Sequence, residues 1–280
     1  MTPMDDRRHP MRDSKQDRKA AARTPDTAQT RSPTYRLAFA DDDFLGREDM
    51  RPVRLQLELL KPELALDEAG INSTIVLFGG ARIPAEAGLA RTPALAAMAK
   101  YYAEARSFAA KMTVLSMAAG GTDNVIVTGG GPGVMEAGNR GAADVGGRSI
   151  GLNIVLPHEQ APNPYVTPEL CFNFHYFAIR KMHFLMRAKA VCVFPGGFGT
   201  MDEMFESLTL IQTGRMAGIP FLLFGRSFWE KLIDWQMLAE SGLIAAEDLK
   251  LFRFVETADE AIAAIQGWHG VELREDMPGR

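Results

Sequence analysis

A chain of 280 residues with 46% hydrophobic side chains carries enough apolar material for one large core. Its net charge of −4 argues against a domain that lives on a nucleic-acid backbone, since such domains carry a clear basic excess. Cys171 and Cys192 are too few for a disulfide framework or a CxxC metal site, and no apolar run approaches the roughly 18 residues of a membrane span or forms a signal-peptide core, so a reducing cytoplasm is expected, without metal, membrane or nucleic acid as partner.

Residues 1–48 are rich in Arg, Lys, Asp, Thr and Pro, with little hydrophobic periodicity before Tyr35. Such a stretch does not offset the entropy of ordering and reads as a disordered, solvated tail. Asp5, Asp6, Asp13 and Asp17 among its basic residues argue against a nucleic-acid arm or a transit peptide. The folded domain is expected over residues 49–280. It opens with Val53, Leu57, Leu60 and Leu64 at helical spacing despite Pro62, which predicts a helix packed on the core from outside. Residues 73–78, Ser-Thr-Ile-Val-Leu-Phe, form a β-branched apolar run that stops at Gly79-Gly80, as a buried parallel strand and its turn would. Residues 93–119, dense in Ala, Met, Lys and Glu, predict one long helix.

A strand over 124–128 then runs into Gly129-Gly130-Gly131-Pro132-Gly133, followed by a helix over 134–143. Further strands are predicted at 149–155, 170–173, 190–194, 220–224 and 251–254, and helices at 177–189, 200–213, 228–240 and 258–267. Repeated strand–turn–helix alternation forces right-handed crossovers, so the fold class is α/β: a Rossmann-like, doubly wound parallel sheet with helices on both faces, in a single domain.

In such a sheet ligands collect beyond the carboxyl ends of the strands. Three glycine turns belong there: Gly79-Gly80, the run from Gly129 to Gly133, and Pro195-Gly196-Gly197-Phe198-Gly199-Thr200. Glycines let the backbone approach an anion, free N–H groups at a helix start point toward it, and Thr200 adds a hydroxyl. Helix-end effects are only about 0.3–1 kcal/mol each, so several donors must converge to hold a phosphate. No turn ends in Gly-Lys-Ser/Thr, which excludes a P-loop NTPase, and Val134 stands where a GxGxxG dinucleotide motif needs its last glycine. A single glycine turn is equally well a tight connection; two that open helices in one α/β chain weaken that reading.

Among the carboxylates, Glu136 follows one turn and Asp202 and Glu203 follow the other. Acids in a first helical turn commonly serve the helix dipole. Glu203, three residues beyond Thr200, is the better chemical candidate. Arg180 and Lys181 stand near a helix start, where the dipole does not favour cations; Arg180 suits a bidentate phosphate clamp, and an ordinary surface arginine fits the pattern equally well.

These residues resemble the LOG (Lonely Guy) family of phosphoribohydrolases. Its PGGxGTxxE hallmark is matched by Pro195, Gly196, Gly197, Gly199, Thr200 and Glu203; a GGGPGxME form like that of longer bacterial members spans Gly129 to Glu136; and Arg180-Lys181 matches its RK pair. The resemblance runs from about residue 73 to 235. It implies a homodimer or larger homo-oligomer without cofactor, in which Gly196, Gly197, Gly199 and Thr200 hold the 5′-phosphate and Glu203 and Arg180 are catalytic. Gly130, Gly131, Gly133, Met135, Glu136 and Lys181 complete the substrate site, with Glu136 on the ribose hydroxyls. The implied reaction is hydrolysis of the N-glycosidic bond of a purine nucleoside 5′-monophosphate, AMP or a cytokinin riboside 5′-monophosphate, to free base and ribose 5-phosphate. A carboxylate beside an oxocarbenium-like ribose suits that chemistry. The alternative is a noncatalytic nucleotide sensor or carrier using the same pocket. Shorter plant-type members carry a His-Glu pair before the RK where this chain has Ala178-Ile179, which favours AMP-like substrates over cytokinins. Members also bear the label lysine decarboxylase; that chemistry needs a pyridoxal phosphate lysine, and Lys181 and Lys189, the nearby candidates, lack a recognisable setting for it.

Overall fold

Contacts along the chain divide it into two units, one ending at Leu64 and one beginning at Ala65. The structure, a computed structural model, describes residues 13–157 and 161–268. Residues 1–12 of the expected tail, with Asp5 and Asp6, and residues 269–280 of the expected domain lie outside these.

In the first unit, α1 (Ser14–Ala21) starts at Asp13, whose carboxylate accepts from the Lys15 N–H, and α2 (Asp42–Leu45) starts at Asp41, which accepts from Phe44 N–H; both are N-caps. The predicted helix around Pro62 forms as α3 (Arg51–Glu68). Leu57, Leu60 and Leu64 stand half exposed. The residues of α3 that reach the core are Ala65 and Leu66, at its far end.

In the second unit the elements follow in the order β1 (Thr74–Phe78), α4 (Pro93–Ala96), α5 (Ala99–Ala118), β2 (Val125–Thr128), α6 (Val134–Asp144), β3 (Ser149–Ile154), β4 (Cys171–Phe174), α7 (Phe177–Met186), β5 (Ala188–Val193), α8 (Phe198–Gln212), β6 (Phe221–Phe224), α9 (Arg226–Leu232), α10 (Trp235–Glu240), β7 (Arg253–Val255) and α11 (Ala258–Gln266). The strands form one parallel sheet in the order β4-β3-β2-β1-β5-β6-β7. This is the Rossmann-like α/β fold that the alternation predicts, with the strand order reversing between β1 and β5.

Side chains alternate across the sheet with period two. Val76, Val127, Leu152, Val191 and Leu223 face a core completed by Phe184 of α7, Met204 and Leu208 of α8 and Trp229 of α9. Ile75, Leu77, Ile126, Cys192 and Phe224 face a second core with Tyr102 and Phe108 of α5, Ala137 of α6 and Ala261 of α11. β1, β2 and β6 are buried throughout, as expected of strands covered on both faces.

Two expected helices are each split. The 93–119 stretch becomes α4 and α5, and 228–240 falls within α9 and α10. The second break has a clear cause: Ile233 is extended, and the Asp234 carboxylate accepts from the Met237 N–H at 2.9 Å, starting a new helix. α7 ends at Met186 rather than 189, and β5 starts at Ala188, because the strand pairs with β1 from its first residue.

α6 lies against α5 at Gly141, where a Cβ would stand 2.2 Å from the Arg106 carbonyl oxygen and 2.9 Å from Ala109 Cβ. Packing there admits no side chain. Gly141→Val is therefore expected to destabilise the protein by about 1–3 kcal/mol through overpacking, read as a lower urea midpoint; an unchanged midpoint would show that the two helices are not packed this closely.

Candidate functional site

The three glycine turns meet at the carboxyl ends of β1, β2 and β5. Gly80 N–H donates to Pro195 O at 2.9 Å, and Val134 N–H donates to Gly80 O at 3.3 Å. Gly133 has φ +69°, and a Cβ there would lie 2.4 Å from Gly80 O, so both its conformation and its neighbour require glycine. Gly196 lies under the Thr200 side chain, where a Cβ would meet Oγ1 at 2.1 Å. Sequence spacing suggested three phosphate-type turns; the strand order is what brings them into contact.

Helix α8 begins here. Gly197 precedes it in an extended conformation, with no side-chain cap. The N–H groups of its first turn, from Phe198 to Thr200, have no acceptor within the helix and are available to an anion. Space is open around Gly197 and Gly199, and the Phe198 ring between them is 96% exposed.

Beside this turn, Arg180 of α7 and Glu203 of α8 form a mostly buried ion pair. Arg180 is 8% exposed: Nε donates to Leu152 O at 2.7 Å, Nη1 donates to Glu203 Oε1 at 3.1 Å, and the guanidinium lies over the Phe184 ring. Its Nη2 reaches the β2 turn, where it would stand 2.6 Å from a Cβ on Gly129, and Met135 sulfur would stand 2.7 Å from the same atom. Glycine at 129 is thus what gives Arg180 room. The Glu203 side chain is 15% exposed, and burial lifts its pKa from 4.5 to about 7 while Arg180 pulls the other way. Arg180 stays charged, so a carboxyl that titrates near neutrality sits beside a fixed cation and an uncapped helix end.

The other expected site residues are placed as follows. Met135 lies across Gly129 and Gly131. Lys181 pairs with Asp202 at 2.8 Å and Glu206 at 2.9 Å, bracing α7 against α8. Burial lowers its pKa, but the two carboxylates raise it by more. The Glu136 carboxylate accepts from Tyr102 of α5 at 2.7 Å, and burial with this hydrogen bond pushes the Tyr102 phenol up to about 12. α6 packs on the sheet face opposite α7 and α8, which is why Glu136 and the Arg180–Glu203 pair hydrogen-bond to different partners. Gly130 and Gly131 turn their carbonyls to Asn163, which sequence reading passed over along with Thr128 and Asn139; no motif spacing marks these three residues. Two open grooves of about 350 and 400 Å³ take no lining residue from the glycine turns: Tyr102, Arg106 and Arg140 line one, and Met182, Met186 and Met216 the other. Among the described residues, no group of His, Cys, Asp or Glu is arranged to hold a metal ion, and no helix is long and apolar enough to cross a membrane.

The fold and its site define a Rossmann-like α/β protein with a glycine-walled crevice at the reversal of strand order. Residues 135–265, which hold Met135, Glu136, Arg180, Lys181 and the turn from Gly196 to Glu203, match the model of a family described as possible lysine decarboxylase. Among solved structures, the chain is similar to TM1055, a structural-genomics target, at 19% identity over 69% of this chain and 98% of that one, with a TM-score of 0.47. It is also similar to a molybdenum cofactor binding protein from the phototrophic bacterium Rippkaea orientalis (18% identity, 70% and 96% coverage, TM-score 0.46) and to the Moco carrier protein from Chlamydomonas reinhardtii (20%, 70% and 96%, 0.44). Likeness at this level carries no argument about ligand. No curated protein matches.

The geometry of the ion pair leads to a direct test. Arg180→Met, and Gly129→Ala through displacement of the guanidinium, are expected to move the Glu203 titration above about 7, because the cation that favours the ionised form is lost or shifted. Carboxyl-carbon NMR of labelled protein reads this; a wild-type midpoint in the ordinary carboxylate range would contradict the burial of Glu203.

Proposed function

We propose that this protein hydrolyses the N-glycosidic bond of purine nucleoside 5′-monophosphates, AMP-like substrates foremost, releasing the base and ribose 5-phosphate. The observation that carries the reading is the buried Arg180–Glu203 pair beside the uncapped glycine turn that opens α8. The first-turn N–H groups and the Thr200 hydroxyl hold the 5′-phosphate, with Gly196, Gly197 and Gly199 allowing its approach. Ionised Glu203 stabilises the cationic ribose and orients or deprotonates the attacking water. Arg180 fixes the carboxylate and balances its charge. Gly130, Gly131, Gly133 and Met135 wall the sugar side, with Glu136 and its partner Tyr102 at that rim. Lys181 acts through its grip on Asp202 and Glu206, which holds α8 against α7 just beyond the phosphate turn.

The reading includes a homodimer or larger assembly, supported by large apolar side chains standing exposed on α7 and α8, Phe177, Met182, Met186 and Phe205 among them. It places the protein in a reducing cytoplasm. The decarboxylase description is not favoured by the lysines near the crevice. Lys181 is held between two carboxylates, and Lys189 is at the amino end of β5, while the crevice lies beyond the carboxyl ends. Neither fits a Schiff-base lysine. A noncatalytic nucleotide sensor would use the same phosphate turn, and turnover separates the two.

Incubation with AMP and with isopentenyladenosine monophosphate, followed by chromatography of base and ribose 5-phosphate, is expected to show release from AMP; no release from any purine or pyrimidine monophosphate would favour the sensor. Glu203→Gln is expected to lower turnover by about 100-fold or more while AMP affinity stays within a few-fold. Because burial raises Glu203 to about 7, it is mostly protonated at pH 6 and ionised at pH 8, so kcat is expected to rise with pH through about 7. A kcat flat between pH 5.5 and 8.5 would remove Glu203 ionisation from the rate-limiting step.

A further inference from the structure

The turn from Gly129 to Gly133 is held from behind by a buried network. Asn163 is 7% exposed and Thr128 and Asn139 are fully buried. Asn163 N–H donates to Gly130 O at 2.8 Å. Its Nδ2 lies 3.0 Å from Gly130 O, 3.0 Å from Gly131 O and 2.9 Å from Asn139 Oδ1, so two N–H groups serve three acceptors. Asn139 Oδ1 also accepts from the Thr128 hydroxyl at 2.7 Å, and its Nδ2 donates to Ser149 Oγ at 3.0 Å. Thr128 Oγ1 accepts in turn from Gly130 N–H at 3.0 Å. Gly130 N–H, Gly130 O and Gly131 O are thus held by Thr128 of β2 and by Asn163 of the segment before β4, and these two residues are joined in turn through Asn139 of α6 to Ser149 of β3.

This arrangement has a chemical consequence. Carbonyl oxygens facing the crevice would repel an anionic ligand, and Asn163 draws the two carbonyls of Gly130 and Gly131 inward. In a trans peptide the N–H points opposite to the C=O, so with Gly130 O on Asn163 the N–H of Gly131 faces the other way. Pro132 supplies no N–H, leaving Gly131 as the donor presented by this part of the turn. We propose that Asn163 is a positioning residue for nucleotide binding: by holding the Gly130 and Gly131 carbonyls inward, it sets the Gly131 N–H to donate to the sugar phosphate. The inference rests on the nucleoside monophosphate reading given above. Asn139 and Thr128 act one step further back by holding the Asn163 amide and Gly130 N–H in register. Because the amide is buried, its loss leaves Gly131 O without its partner and Gly130 O with the Asn163 main-chain N–H alone, a larger effect than loss of a surface hydrogen bond.

The test uses the full chain as wild type, Asn163→Asp and Thr128→Val, with three measurements on each: thermal midpoint, KM and kcat for AMP, and affinity for ribose 5-phosphate by calorimetry. Asn163→Asp replaces the donating amide by a carboxylate facing two carbonyls. It is expected to raise KM and weaken ribose 5-phosphate binding by about tenfold or more, with kcat within about threefold of wild type. A purely structural role would lower the thermal midpoint and the active fraction, and so kcat, without this rise in KM. If Asn163→Asp does not fold, Thr128→Val, which removes the acceptor of Gly130 N–H, is expected to show the same split. KM and ribose 5-phosphate affinity both within twofold of wild type in the folded variant would overturn the proposal. Wild-type protein that binds ribose 5-phosphate but releases no base would overturn the hydrolytic function alone, with Asn163 still judged from the affinities; wild-type protein that binds no ribose 5-phosphate would overturn both.

Discussion

A guanidinium and a carboxylate 3.1 Å apart, each largely withdrawn from water, set the terms for the rest of this structure. Desolvating two charges costs several kcal/mol per ion, and their attraction offsets this only where the geometry is good and further hydrogen bonds serve the remaining donors. Arg180 meets that condition through Leu152 O, the Phe184 ring and Glu203. Each contact comes from a different element: β3, the body of α7 and the second turn of α8. The pair therefore exists only when β3, α7 and α8 are assembled, and it has a free edge toward the β2 turn only because residue 129 has no side chain.

The same crowding explains the glycine content of the crevice. Gly133 lies on Gly80 O and Gly196 lies under Thr200, so the three turns interlock through backbone rather than through side chains. What results is a wall of peptide groups whose orientation is governed from behind, by Asn163 on one side and by the helical geometry of α8 on the other. Preorganised N–H donors beside a carboxylate are a common means of stabilising charge on a bound group. A carboxyl raised to about 7 is also close enough to neutrality to take up or release a proton.

Neighbours in the sequence motifs have separate tasks in the fold. Arg180 and Lys181 are adjacent, yet the first joins Glu203 in the crevice and the second ties together two charged positions on α8. Met135 and Glu136 are adjacent, yet the first covers the glycine turn and the second bonds Tyr102 across the α5–α6 packing. Successive helical residues project about 100° apart, so a motif read along the chain lists residues that need not share one ligand.

The alternation of β-branched runs, glycine turns and helical stretches in this sequence was enough to determine a parallel α/β sheet with its glycine turns at the carboxyl ends of the strands, and to make Arg180 and Glu203 candidates, because strand and helix periodicities and glycine turn chemistry are local properties. The LOG-like pattern was legible for the same reason, as it consists of short contiguous motifs. Only the tertiary structure decided that β1 and β5 lie side by side and press the three turns together, that Arg180 passes over Gly129, that Glu136 pairs with Tyr102, and that Asn163 governs a turn 33 positions away in the chain. The burial that sets the charge state of Glu203 belongs to the same group: desolvation depends on every element packed around the carboxylate, and that environment has no counterpart in the order of residues along the chain.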